Sequence, residues 1–177
     1  MRRLLAIWIG FFPLLAACSS DTTDLRFEVQ SQGAEVLDKV TGLTWQMCPQ
    51  GMGSVWPARP EQACLGTADT YTWDAALARA QVVAGQSGKA WRLPTVQELS
   101  SLPTDAAHGP SWAKQPFPAH LMLVDSDRIS TYVSPNFWSS NAYDSDIARN
   151  SIWFVSLGTG FTSNQPPIQK MYLRLVR

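Results

Sequence analysis

The sequence predicts an α+β protein: strands, two helices, one long irregular loop and strands again. Three observations predict it. Short strand-like runs lie towards both ends of residues 27–177. Two capped helix starts, at Thr72 and Thr95, stand between them. Residues 103–136 carry five prolines and both histidines with no helical or strand period.

The first residues come before that domain. Met1-Arg2-Arg3 is followed by an uncharged run from Leu4 to Ala17, interrupted by Pro13. As a helix it would reach roughly 21 Å, short of the roughly 30 Å of a bilayer's hydrocarbon core. A basic start, a short apolar run and small residues at its end read as a secretory signal rather than a membrane span. The end, Leu15-Ala16-Ala17-Cys18, resembles the bacterial lipoprotein signal, which implies cleavage before Cys18 and lipid on its sulfur. Several acyl chains at roughly 0.8 kcal/mol per buried methylene make a durable anchor. Ser19 after that cysteine implies sorting to the bacterial outer membrane, on its surface or its periplasmic face. The expected organisation is a lipoprotein signal peptide at 1–17, the lipidated cysteine and a polar tether at 18–26, and a single domain at 27–177.

Cleavage would leave 160 of the 177 residues, enough for one domain with a real core. Loss of Arg2 and Arg3 leaves 12 basic against 14 acidic residues, a formal charge of −2. That balance gives no electrostatic case for nucleic acid. Seven of the eight tryptophans follow the leader, which favours a packed core over disorder. Once Cys18 carries lipid, Cys48 and Cys64 are the remaining cysteines. In an exported protein they are expected to pair, closing a loop worth roughly 3 kcal/mol. The rival is a metal pair, with no histidine or further cysteine nearby.

The elements follow in order. Arg26–Gln30, Glu35–Asp38 and Leu43–Met47 read as strands, the last two joined by a turn ending in Gly42. Residues 49–70 read as a loop closed by the cysteines. Thr72 caps a helix from Trp73 to about Ala84, with Trp73, Leu77, Ala80 and Ala84 as its buried stripe and Gly85 ending it. Thr95-Val96-Gln97-Glu98 fits a capping box, with Thr95 as the cap and Glu98 reaching back. Pro94 holds Leu93 extended before it. Arg92 has two readings: a catalytic cation facing Glu98, or a structural arginine pinning the turn, and the capping duty of Glu98 favours the second. After the long segment come strands at Phe137–Ser140 and Ile152–Leu157, a turn at Gly158-Thr159-Gly160, and a closing strand from Met171 to Arg177. In that last strand Tyr172, Arg174 and Val176 are expected on the face opposite Leu173 and Leu175.

The runs DKVTGLTWQMC, YTWDAALARA, WRLPTVQELSSL, FWSS, WFVSLGTG and LRLVR, in this order, resemble the Lcl C-terminal domain family over roughly residues 35–177. That resemblance implies a C-type-lectin-like fold, with the two helices packed on small antiparallel sheets. It makes Trp45, Trp91, Arg92, Thr95 and Glu98 a structural signature rather than reacting groups. The collagen-like adhesin after which the family is named binds sulfated polysaccharides at the cell surface. This chain is slightly acidic and lacks the collagen-like stalk, and the shared motifs do not carry that activity.

A search for chemistry finds no Gly-x-Ser-x-Gly, His-Glu-x-x-His or Cys-x-x-Cys pattern. His108 and His120 are lone loop histidines. Asp125-Ser126-Asp127 and Asp144-Ser145-Asp146 offer oxygen ligands for calcium but read better as polar surface turns. Gln165-Pro166-Pro167 is a partial echo of the signals of calcium-dependent sugar binding. No catalytic residue, metal or cofactor is expected, and the chain is not expected to be an enzyme. The candidate ligand surface is aromatic: Trp112, Phe117, Tyr132 and Tyr143, in or beside the long loop, where sugar rings stack and protein partners anchor. The expected function is an outer-membrane-anchored, non-catalytic binding module, a glycan-binding adhesin. The alternative is a periplasm-facing lipoprotein that binds an envelope protein, as an inhibitor or immunity protein does.

Overall fold

A computed structural model describes residues 26–54, 64–102, 135–143, 150–157 and 159–177. The leader, Cys18, Trp112, Phe117, Tyr132, both histidines, Gly158 and the two Asp-Ser-Asp runs lie outside the described residues. None of the described helices is long and apolar enough to cross a membrane.

The first sheet is an antiparallel meander of β1 (Phe27–Gln30), β2 (Glu35–Asp38) and β3 (Thr44–Gln46). Its β2–β3 turn is the expected one. The Gly42 N–H donates to Asp38 O at 2.7 Å, and Gly42 sits at φ +73°, which a side chain would resist. The described residues of the 49–70 stretch carry more regular structure than expected. It holds β4 (Gly53–Ser54) paired with β5 (Cys64–Leu65), then β6 (Thr70–Tyr71). The Cys48–Cys64 disulfide, with Cα atoms 5.7 Å apart, staples this ribbon to the end of β3.

Helix α1 runs Trp73–Ser87, and its Thr72 cap accepts from the Ala75 N–H at 3.4 Å. It passes the expected stop at Gly85, which has an open surface position, and ends at Gly88 in the left-handed conformation at φ +65°. Helical residues up to Ser87 cost nothing in buried surface, and the left-handed stop requires the later glycine. Its deepest residues are Ala76 and Ala80, with Trp73, Leu77, Val83 and Ala84 packed around them. Helix α2, Val96–Ser100, is one short turn whose Leu99 is fully buried.

The large sheet has the order β6-β10-β7-β8-β9, with β7 (Asn136–Tyr143), β8 (Ser151–Ser156), β9 (Thr162–Gln165) and β10 (Met171–Tyr172). The sequence reading contained no β9, a polar edge strand without an apolar alternation. The sheet is also mixed rather than wholly antiparallel, because β10 pairs parallel to β7 at Tyr172↔Phe137. Two antiparallel steps make β9 run with β7, and the 166–170 connection carries the chain back across the sheet to run the same way again. That return needs no helix, because the Pro167 carbonyl rests on the Trp73 N–H at 2.9 Å on the way.

The expected regular closing strand is also corrected. Beyond Tyr172 the chain keeps hydrogen-bonding, but to two partners outside the large sheet. Leu173 O and Leu175 O accept from Gln50 and Gln46, Arg177 exchanges both bonds with Thr44, and Val176 exchanges both with Arg92. Flanked on both sides, residues 173–176 are all buried, so the two-face alternation disappears. Two apolar clusters meet across this segment. One gathers Trp45, Met47, Leu99, Phe137 and Val176; the other gathers Ala76, Trp91, Trp138, Phe154 and Leu175.

Candidate binding site

The signature residues assemble around the WRLPT turn. Arg92 donates from Nη1 and Nη2 to the two carboxylate oxygens of Glu98, at 2.8 and 2.7 Å, and from Nη1 to the carbonyl of Leu93 at 3.2 Å. Glu98 Oε2 also accepts the Thr95 N–H at 2.7 Å, while Thr95 Oγ1 accepts the Glu98 N–H, so the capping box is complete. The Arg92 guanidinium, first, and the Thr95 amide hold the Glu98 carboxyl below the usual carboxylate range against its partial burial. The same pairing raises Arg92. Both readings of Arg92 required proximity to Glu98. What the geometry adds is that Arg92 Nη1 and Nη2 and both Glu98 carboxylate oxygens are engaged in the turn and the helix start.

The turn is locked from a second side. β7 has a bulge between Trp138 and Ala142, so Ser139, Ser140 and Asn141 leave the β8 ladder. The Ser139 hydroxyl still reaches β8, donating to Trp153 O at 2.8 Å, but the Ser140 N–H donates to Pro94 O at 2.8 Å, and Asn141 Oδ1 accepts the Val96 N–H at 2.8 Å. Trp91 lies buried beneath the Arg177 guanidinium, 5.4 Å from its ring centre. Arg177 and Lys89 both pair with Glu35, and these partners hold its carboxyl low although burial pushes the other way. Trp45 is fully enclosed.

Among the candidate ligand aromatics, Tyr143 is described. It ends β7 half-buried, edge-on to Trp153 with ring centres 5.0 Å apart.

The structure brings together a different set. A cavity of about 370 Å³ opens between Pro135, Asn136, Gln165, Gln169, Lys170, Met171 and Tyr172. Each wall is placed by an element. Asn136 starts β7 and is paired with Ser156; Gln165 ends β9, paired with Ile152; Tyr172 is held between Thr70 and Phe137. Gln169 closes the 166–170 connection, its N–H donating to Pro166 O at 3.0 Å. Tyr172 packs on Phe137 with ring centres 5.8 Å apart, and burial pushes its hydroxyl pKa up. The lining thus includes three residues with side-chain amides, one lysine and one tyrosine. Pro135, on its wall, is where the chain returns from 103–134.

Sequence reasoning missed this site because its amides lie 29 and 4 residues apart, at Asn136, Gln165 and Gln169. The one available signal was Gln165, within the partial echo noted above. Among the described residues no group of three or more His, Cys, Asp or Glu is placed to hold a metal ion.

Fold and site together define an α+β domain that carries a surface hollow of mixed polar and apolar lining on a disulfide-stapled frame. The chain belongs to the Lcl C-terminal domain family, which matches residues 34–177. No match was found to a curated protein or to a solved structure.

Proposed function

We propose that the protein is a non-catalytic glycan-binding module, C-type-lectin-like in fold, carried at the outer membrane by lipid on Cys18. The observation that carries this reading is the hollow walled by Asn136, Gln165, Gln169 and Tyr172. Amides and a phenol offer paired donors and acceptors beside an aromatic surface, the combination that hydroxyl-bearing rings need. The Leu15-Ala16-Ala17-Cys18 signal supports the envelope location, and Trp112, Phe117 and Tyr132 are candidate stacking residues by sequence.

The test uses the full-length lipoprotein in detergent on a glycan array, alongside an Asn136→Ala/Gln165→Ala variant of unchanged thermal stability. Binding that the variant loses supports the reading. An empty array with stoichiometric capture of one envelope protein overturns it in favour of a protein-binding role. Radiolabelled fatty acid incorporated by the wild type but not by Cys18→Ser tests the anchor separately.

A further inference from the structure

We infer that the hollow takes a neutral, hydroxyl-rich saccharide unit and holds it through side-chain amides directly, without a bridging divalent cation. This rests on the glycan-binding reading and narrows it to one ligand class.

The argument is one of donor sets. A primary amide carries two N–H donors and an acceptor oxygen in one plane, so it can satisfy two neighbouring hydroxyls at once. Asn136, Gln165 and Gln169, each carrying a side-chain amide, are among the residues that line this space. A calcium-bridged sugar site instead needs carboxylates to bind the ion, and no carboxylate is among the described lining residues. A sulfated or otherwise polyanionic chain would require several cations acting together. The described lining contributes only Lys170, exposed at the rim.

Size and rigidity agree. About 370 Å³ lies at the small end of ligand cavities, enough for one or two rings and not for a long polymer segment. Asn136, Gln165 and Tyr172 sit on hydrogen-bonded strands, so their backbones are pre-placed, whereas Gln169 lies exposed in the 166–170 connection and must be ordered on binding. The strand residues are therefore the fixed wall, and Gln169 is the amide that adjusts to the ligand. The affinity of a single unit is weak, and avidity from many anchored copies on one surface supplies the strength.

The experiment prints neutral hexose and N-acetylhexosamine oligosaccharides beside sulfated versions of the same backbones. Full-length protein in detergent is applied with calcium or with EDTA, at low and high salt. Binding to the neutral set is expected, unaffected by EDTA or salt. It should fall about tenfold in each of Gln165→Ala and Gln169→Ala, one hydrogen-bonding group apiece, and stay within about twofold in Lys170→Ala. Both glutamines are exposed, so their variants keep the fold, which thermal melting checks. Binding confined to the sulfated set, abolished by EDTA, or lost in Lys170→Ala but kept in Gln169→Ala overturns this inference while leaving the broader glycan reading intact. Silence across both sets overturns the two together.

Discussion

Replacing Glu98 separates its two duties. Its carboxylate accepts the Thr95 N–H and receives both Arg92 nitrogens. Losing a capping partner costs about 0.5–1 kcal/mol. Losing an ion pair whose arginine side chain is 46% exposed costs about 0.2–1 kcal/mol, because water screens it. Glu98→Ala should therefore destabilise by about 1–2 kcal/mol, a melting shift of roughly 3–8 °C for a domain of this size. Glu98→Gln keeps an oxygen for the Thr95 N–H and forfeits only the charge, so its loss should stay below about 1 kcal/mol. Urea titration with an unchanged slope measures both. The pairs also predict a pH dependence. Because Arg92 holds the folded-state pKa below the ordinary 4.5, the charge contributes stability above pH 4.5 and loses it as the pH falls through the lower folded value. The wild-type advantage over Glu98→Gln should shrink on acidification and not on alkalinisation. If Gln proved as damaging as Ala, the capping assignment would fail. If Ala left stability untouched while abolishing a chemical turnover, the architectural reading of this pair would be wrong.

The other expected outcomes concern the frame. Cys48→Ser/Cys64→Ser should lose about 3 kcal/mol in calorimetry, since the cross-link spans 16 residues of chain and restricts the unfolded state. Asp38, fully buried, receives Arg26 Nε and Nη2 at 2.8 and 2.5 Å and the Val40 N–H at 3.1 Å. Burial would raise its pKa, but these partners and Thr41 lower it below 3.8. Asp38→Asn should cost about 2 kcal/mol at neutral pH and flatten the acid limb of the stability curve below about pH 4, read by urea midpoints across pH. Gly51 sits at φ +91°, and a Cβ there would lie 2.6 Å from the Asp69 nitrogen and 2.7 Å from Thr67 O. Gly51→Ala should lose about 2 kcal/mol or more in chemical denaturation, whereas Gly53→Ala, with nothing within 4 Å, should be close to neutral.

Local signals carried most of the frame. The Gly42 turn, the Thr72 cap and the Thr95–Glu98 capping box are each specified within four or five residues, because the groups that satisfy one another are near in sequence. The cysteine pair was legible from the expectation of export and the shortage of other metal ligands nearby. Helix α1 kept its start and buried face but not its end, since Gly85 and Gly88 look alike until packing shows which one needs a left-handed backbone. β4, β5, β6 and β9 lacked apolar alternation, for their places are set by neighbours rather than by composition.

What the amino-acid order determined by itself was the α+β class, the strands and caps of the frame, and the lack of a local catalytic motif. Only tertiary structure decided that β10 returns parallel to β7, that residues 173–176 are covered on both sides, and that Asn136, Gln165, Gln169 and Tyr172 share one hollow. The reason is the range of the forces involved. Caps, turns and hydrophobic periods act over a few residues and are written into short stretches. A binding cavity is a coincidence of distant strand ends, and its position exists only once the register of the whole sheet has been set.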